Sequence, residues 1–184
     1  MGASPPTRRT QLSAGGRASE TIRIPDEQLA GLFATVVRQV ANLPRGAERV
    51  VWQLGESELE VHTVGTRLTC SAGIVAVTIP VRCEQLPAPA IVRVAFAVGR
   101  PDRPAGLVMA TTTRPTGPDV VTARWSDALV AFAHECVLRL AEDIAAQAGD
   151  DKSGRALIPG AVSAVQGVLL VAPMARHTIR WSEI

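Results

Sequence analysis

Hydrophobic periodicity changes twice along this chain, and that order limits the fold more than any other feature. Apolar residues recur at intervals of three and four in Pro25–Leu43. Between Arg49 and Thr112 they alternate, and from Asp127 to Ala148 the helical spacing returns. A helix with an apolar stripe and a sheet with an apolar face must each cover that surface with another element. Helix, strands and helix in this order predict an α+β fold. Its expected form is an antiparallel meander sheet of five to six strands, with an N-terminal helix and a longer C-terminal helix packed on one face.

The first helix is expected over Pro25–Leu43. Pro25 suits a first-turn position, and Asp26 and Glu27 complement the helix N-terminus. Leu29, Leu32, Phe33, Val36, Val40 and Leu43 share one face, and Pro44 ends the element. In the second helix, Ser126 is the expected N-cap, Asp127 complements the dipole, and Gly149 stops the chain. Leu129, Ala133, Cys136, Val137, Leu140 and Ile144 form its buried stripe. Glu135, Arg139, Glu142 and Asp143 face water.

The strands follow from period two. In Arg49–Leu54, Val50, Trp52 and Leu54 point inward and alternate with Arg49, Val51 and Gln53. Glu58–Thr63 turns Leu59, Val61 and Thr63 inward and Glu58, Glu60 and His62 outward. Arg67–Ser71, Ile74–Cys83, Ile91–Val98 and Leu107–Thr112 continue the meander, with hairpin-length connections that make it antiparallel. Pro80 implies an edge or a bulge, because proline cannot donate to a ladder. A short strand is expected at Asp119–Thr122 and another at Gly167–Ala172, with Gly160–Ala175 as a whole reading as strand and loop. Residues 1–20, rich in Gly, Ser, Pro and Arg, form an expected disordered or partner-dependent arm. Residues 21–184 form one domain.

Hydrophobic residues make up 47% of the chain, yet it has only three Phe, three Trp and no Tyr. The excess is aliphatic, which fits either a well-filled core or extra apolar surface buried between subunits. Of the 19 basic residues only Lys152 is lysine. The arginines are spread along the chain beside abundant Ala, Gly and Pro, a pattern of GC-rich, bacterial coding. With a net charge of +2 and no tyrosine to stack on bases, nucleic acid is not an expected partner. Cys70, Cys83 and Cys136 lie in three separate segments, without the spacing of a disulfide framework or a zinc site. Reduced thiols imply the cytoplasm. Arg8-Arg9 lacks the apolar run of a twin-arginine signal, and no stretch has the roughly 18 or more apolar residues of a membrane span.

Catalytic motifs are broken wherever they begin. His134-Glu135 opens an HExxH pattern, but Leu138 stands where the second imidazole must lie one turn on. Asp151-Lys152-Ser153 ends like a phosphate-binding loop, with a carboxylate in place of its glycine. No GxGxxG is present, and Thr69 breaks a nucleophile elbow at Cys70-Ser71-Ala72-Gly73. A Cys70–His62 pair, a Glu58–Glu60 acid pair and convergence of the three histidines each lack support from spacing. No cofactor and no metal is expected.

One region offers a binding site. Arg114, Arg124 and Trp125 bracket the approach to the second helix, beside Ser126 and Asp127 at its expected start. Guanidinium groups, an indole and free helix-start amides together suit a carboxylate or an acidic partner. Trp125 equally suits a packing role at the helix start. The helix–meander–helix order resembles, at the level of fold alone, secretion-chaperone-like and ring-forming assembly subunits. It differs from hot-dog thioesterases, which carry their long helix within the sheet sequence. The expected function is that of a non-enzymatic cytoplasmic interaction or assembly protein, homo-oligomeric or bound to another protein. The alternative is a small-ligand-binding or hydrolytic protein with a pocket between the sheet and the second helix.

Overall fold

The computed structural model describes residues 20–103, 110–111, 114–150 and 154–175. The expected arm, all but its last residue, and the polar loop around Lys152 lie outside the described residues, as does most of Leu107–Thr112. The fold is α+β with antiparallel sheets. The elements run β1 (Ile22–Pro25), α1 (Asp26–Val40), β2 (Arg49–Leu54), β3 (Ser57–His62), β4 (Arg67–Ser71), β5 (Ile74–Arg82) and β6 (Ala90–Ala97). They continue through β7 (Ala110–Thr111), α2 (Asp119–Gln147), β8 (Leu157–Val165) and β9 (Val168–Ala175).

The meander forms one sheet in the order β2-β3-β5-β6-β7, with β4 also paired to β5. β3 and β4 lie end to end along the same edge of β5: Arg67–Ser71 pair with Thr78–Ile74, and Glu60–Val61 pair with Arg82–Val81. The turn between β3 and β4 fills the gap, where Thr63 N–H donates to the Glu48 carbonyl and Thr66 Oγ1 donates to the His62 carbonyl. Pro80 falls at this interruption, while its other side keeps register with Ile91. The proline is therefore tolerated inside the sheet and not only at an edge. Gly65, with φ +90°, sits so close that a Cβ there would lie 3.3 Å from the Pro80 ring.

The inner face is dense. Leu59, Val61, Val75, Val77, Ile79, Val81, Val92 and Val94 are fully buried. The alternation read from β2 holds less well, because Leu54 at its end is 53% exposed.

Three features of the fold differ from the periodicity reading. Pro25 ends β1 instead of opening a helix, and α1 stops at Val40. The strand form is fixed by a partner far along the chain, since Ile22–Pro25 pair with Val171–Val168. Second, the segment Asp119–Thr122 is not a strand, and Ser126 is not a cap. α2 begins at Asp119 after Pro118, so Ser126 lies two turns inside it. Val121, fully buried, starts the same stripe as Trp125 and Leu129 four residues apart, and this packing overrides the β preference of Val120-Val121-Thr122.

Third, Gly160–Ala175 is one β-hairpin. β8 and β9 turn at Gln166-Gly167, where Gly167 takes φ +69°, and β1 completes a second sheet in the order β1-β9-β8. Its alternation is blurred because Ser163 and Leu170 are buried as well as Val162 and Leu169. The two sheets meet at a corner, where Gly99 N–H donates to the Val162 carbonyl and Gly73 N–H to that of Ala164. α2 packs against both sheets and against α1. Its expected stripe is buried, and so are Phe132, Ala141 and Ala145 on neighbouring positions. Gly149, at φ +82°, follows the helix end as expected. No helix among the described residues is long and apolar enough to cross a membrane.

Candidate functional site

Trp125 is 5% exposed and belongs to an aromatic cluster beneath β2. Trp52 lies between it and Phe132, with ring centroids 6.5 Å from Trp125 and 5.5 Å from Phe132, the latter nearly edge-to-face. The spacing of 125 and 132 on α2 places both rings on the face that meets the sheet. Trp125 thus fixes the helix to the sheet.

The neighbouring position points the other way. Arg124 is exposed, and its guanidinium donates to Ser57 Oγ at the start of β3. Arg114 is exposed in the segment that runs beside β6, where Thr116 and Arg93 exchange backbone hydrogen bonds of 2.8 and 2.9 Å. β5 separates β6 from β3 in the sheet, so Arg114 and Arg124 lie on opposite sides of the central strand. The free amides of the helix start, at Asp119 and Val120, are more than a turn before Arg124. The four parts of the expected anion site are therefore not gathered at one place.

The space between the meander and α2 is filled by Val77, Val94, Leu129, Ala133 and Val137, all fully buried. A groove of about 310 Å³ does open between α1 and α2, walled by Leu32, Val36, Leu140 and Ile144. Its carboxylate, Asp143, already lies 3.3 Å from Arg139. Burial pushes the Cys70 thiol up to about 12, with the Asp26 carboxylate adding to it, and burial and then Glu135 do the same to Cys136. Neither is an activated nucleophile at neutral pH. Cys70 faces the core while His62 is on the outer face, which separates the Cys–His pair expected to lack support.

Glu60 is the one outer-face carboxylate, among the described residues, with close charged neighbours, at 3.5 Å from Arg49 and 3.7 Å from His62. Glu58 instead accepts a hydrogen bond of 2.9 Å from Gln53. The two carboxylates are thus engaged separately. His134 lies with its ring 5.9 Å from that of Phe96. Among the described residues no group of three or more His, Cys, Asp and Glu side chains is placed to hold a metal.

Sequence reasoning passed over the apolar residues of the outer face. Val51 and Ile91 are 46% and 61% exposed there, and Val64, in the turn between β3 and β4, is 60% exposed. The signal was present: Val51 falls on the face shared with Arg49 and Gln53, and Ile91 on the face shared with Arg93. No protein-family model matches the chain, and no curated protein or solved structure shows significant similarity to it.

Proposed function

We propose that this protein is a non-enzymatic interaction or assembly protein that associates with copies of itself, or with another protein, in the cytoplasm. One observation carries the reading. The core is complete without Val51 and Ile91 on the outer face of the meander sheet and Val64 in the turn between β3 and β4, yet these keep 46%, 61% and 60% of their surface in water. Exposed apolar surface gains about 25 cal/mol for each Å² covered, and apolar patches left in water mark interaction sites.

Three free, buried thiols are consistent with a reducing compartment, and the Arg, Ala and Gly bias with a bacterial source. In this reading Arg124 and Arg114 are available to a partner at the surface, and Trp125 acts indirectly by anchoring the helix that carries Arg124. The test is molar mass in solution by light scattering across the micromolar range. A species of two or more chains supports the proposal. A steady mass of 19.4 kDa, that of one chain, removes self-association from it.

A further inference from the structure

β2 ends the meander sheet on one side, and among the described residues it pairs only with β3. The register shows which of its backbone groups this leaves free. Thr63 N–H donates to the Glu48 carbonyl, so these two residues form a hydrogen-bonded pair, and such pairs recur at every second position of an antiparallel ladder. Val50, Trp52 and Leu54 therefore turn their N–H and C=O groups toward β3, opposite Val61, Leu59 and Ser57. Arg49, Val51 and Gln53 turn theirs outward, to the open edge.

That edge lacks the usual protection. Strand edges are commonly blunted by proline, a bulge, lysine or a covering element. Arg49–Leu54 contains no proline and no glycine, and it runs against β3 without a bulge. Its charged residue, Arg49, is held over the outer face, 3.5 Å from Glu60. None of the six residues is buried, although Val50, Val51, Trp52 and Leu54 are among them. Outward amides and carbonyls, flanked by apolar side chains on both faces, fit one class of occupant: another extended strand.

We propose that β2 pairs with β2 of a second copy, antiparallel, about a two-fold axis that passes through Val51 perpendicular to the sheet. The proposal rests on the self-association reading above and gives it a place. In this register Val51 lies opposite Val51 and Arg49 opposite Gln53, so every outward N–H and C=O of the strand finds a partner. An axis through Val50 would set Gln53 opposite Ala47, before the strand begins. An axis through Trp52 would set Arg49 opposite Gly55, in the turn. An axis between two residues fails altogether, because outward groups would meet groups already bonded to β3.

The side chains agree with the axis at Val51. On the inner face Trp52 stands beside Val50 of the second copy, which covers the half-buried ring that packs on Trp125 and Phe132. On the outer face Arg49, opposite Gln53, meets no like charge.

The test uses the full chain. Light scattering should report two chains in the micromolar range and one after Val51→Pro. Proline at this position removes only an outward N–H, so the ladder with β3 and the circular dichroism should hold. Val51→Lys sets two ammonium groups together on the axis and should give the same fall without altering the backbone. Amide exchange then fixes the place. The N–H groups of Arg49, Val51 and Gln53 should be protected where two chains associate and exchange freely on dilution, while those of Val50 and Trp52 stay protected throughout. An oligomer that survives both substitutions overturns this edge and leaves assembly through another surface standing. So does one in which Arg49, Val51 and Gln53 exchange as freely as in the diluted chain. A wild-type chain that is monomeric throughout the micromolar range overturns the edge and the self-association reading together.

Discussion

The two faces of the meander sheet are built from the same strands and obey different rules. On the inner face nearly every position is Val, Leu, Ile or Phe, and outside β2 these are closed off by α1, α2 and the second sheet. On the outer face Arg, Glu and Thr share the surface with small alanines and a few large apolar residues. Ala76 and Ala95 there are 1% and 6% exposed. The inner face therefore records what the chain needs in order to fold. The outer face records what is left over once it has folded, which is where signs of partners have to be sought.

That contrast is broken or sharpened by measurements of unequal size. Trp125→Ala should have the largest effect, about 3–5 kcal/mol in chemical denaturation, because it removes a buried ring from the Trp52–Phe132 cluster. A loss below about 1 kcal/mol would mean that α2 does not depend on the sheet at this end. Leu140→Ala, fully buried where α2 meets α1, should cost on the order of 2–5 kcal/mol by the same measurement.

Alkaline titration probes the inner side differently. Burial raises the thiols of Cys70 and Cys136 from 9.0 to about 12, so between these values the unfolded chain loses protons that the folded chain keeps. Stability is intact below pH 9.0 on this account and falls as pH rises toward about 12. Denaturant midpoints against pH should show that decline, and Cys136→Ala should reduce its slope. A wild-type slope of zero would place the thiols in contact with water. At the small end, Arg124→Ala should cost no more than about 1 kcal/mol, the value of one exposed hydrogen bond to Ser57. Glu142→Ala, in an exposed i,i+3 pair with Arg139, should stay within about 0.5 kcal/mol. Effects there as large as that of Leu140→Ala would erase the distinction between covered and uncovered surfaces.

Local periodicity carries most of the meander and the buried stripe of α2 because each depends on residues close in sequence. It fails where a distant partner decides. Ile22–Pro25 is four residues long and becomes a strand only through β9; Asp119–Thr122 has β-branched side chains and becomes helix because Val121 completes a stripe over the sheet. β8 is hidden because a register shift between Pro159 and Ala161 and the burial of Ser163 between Val162 and Ala164 break the alternation that marks a strand. The expected site at Arg114, Arg124 and Trp125 depends on a helix start placed two turns too late, with Ser126 for Pro118 as cap. Adjacent residues on a helix point in different directions, so Arg124 and Trp125 separate as soon as the helix includes both. The end-to-end placing of β3 and β4 around Pro80 needs the strand register before it can be seen.

The pairing of β1 with β9 also sets the order in which structure can form. Ile22 leaves the ribosome before the meander and α2, and its partner Val171 only after both have been made. Contacts so distant in sequence slow folding, because the loop must close before they reward the chain. Throughout synthesis the first strand, and the part of α2 that faces the β8–β9 hairpin, have no cover of their own. The nascent protein therefore passes through a period of exposed strand edge and aliphatic helix surface, the condition in which aggregation competes with folding. Its yield in a cell should depend on how fast β9 follows α2.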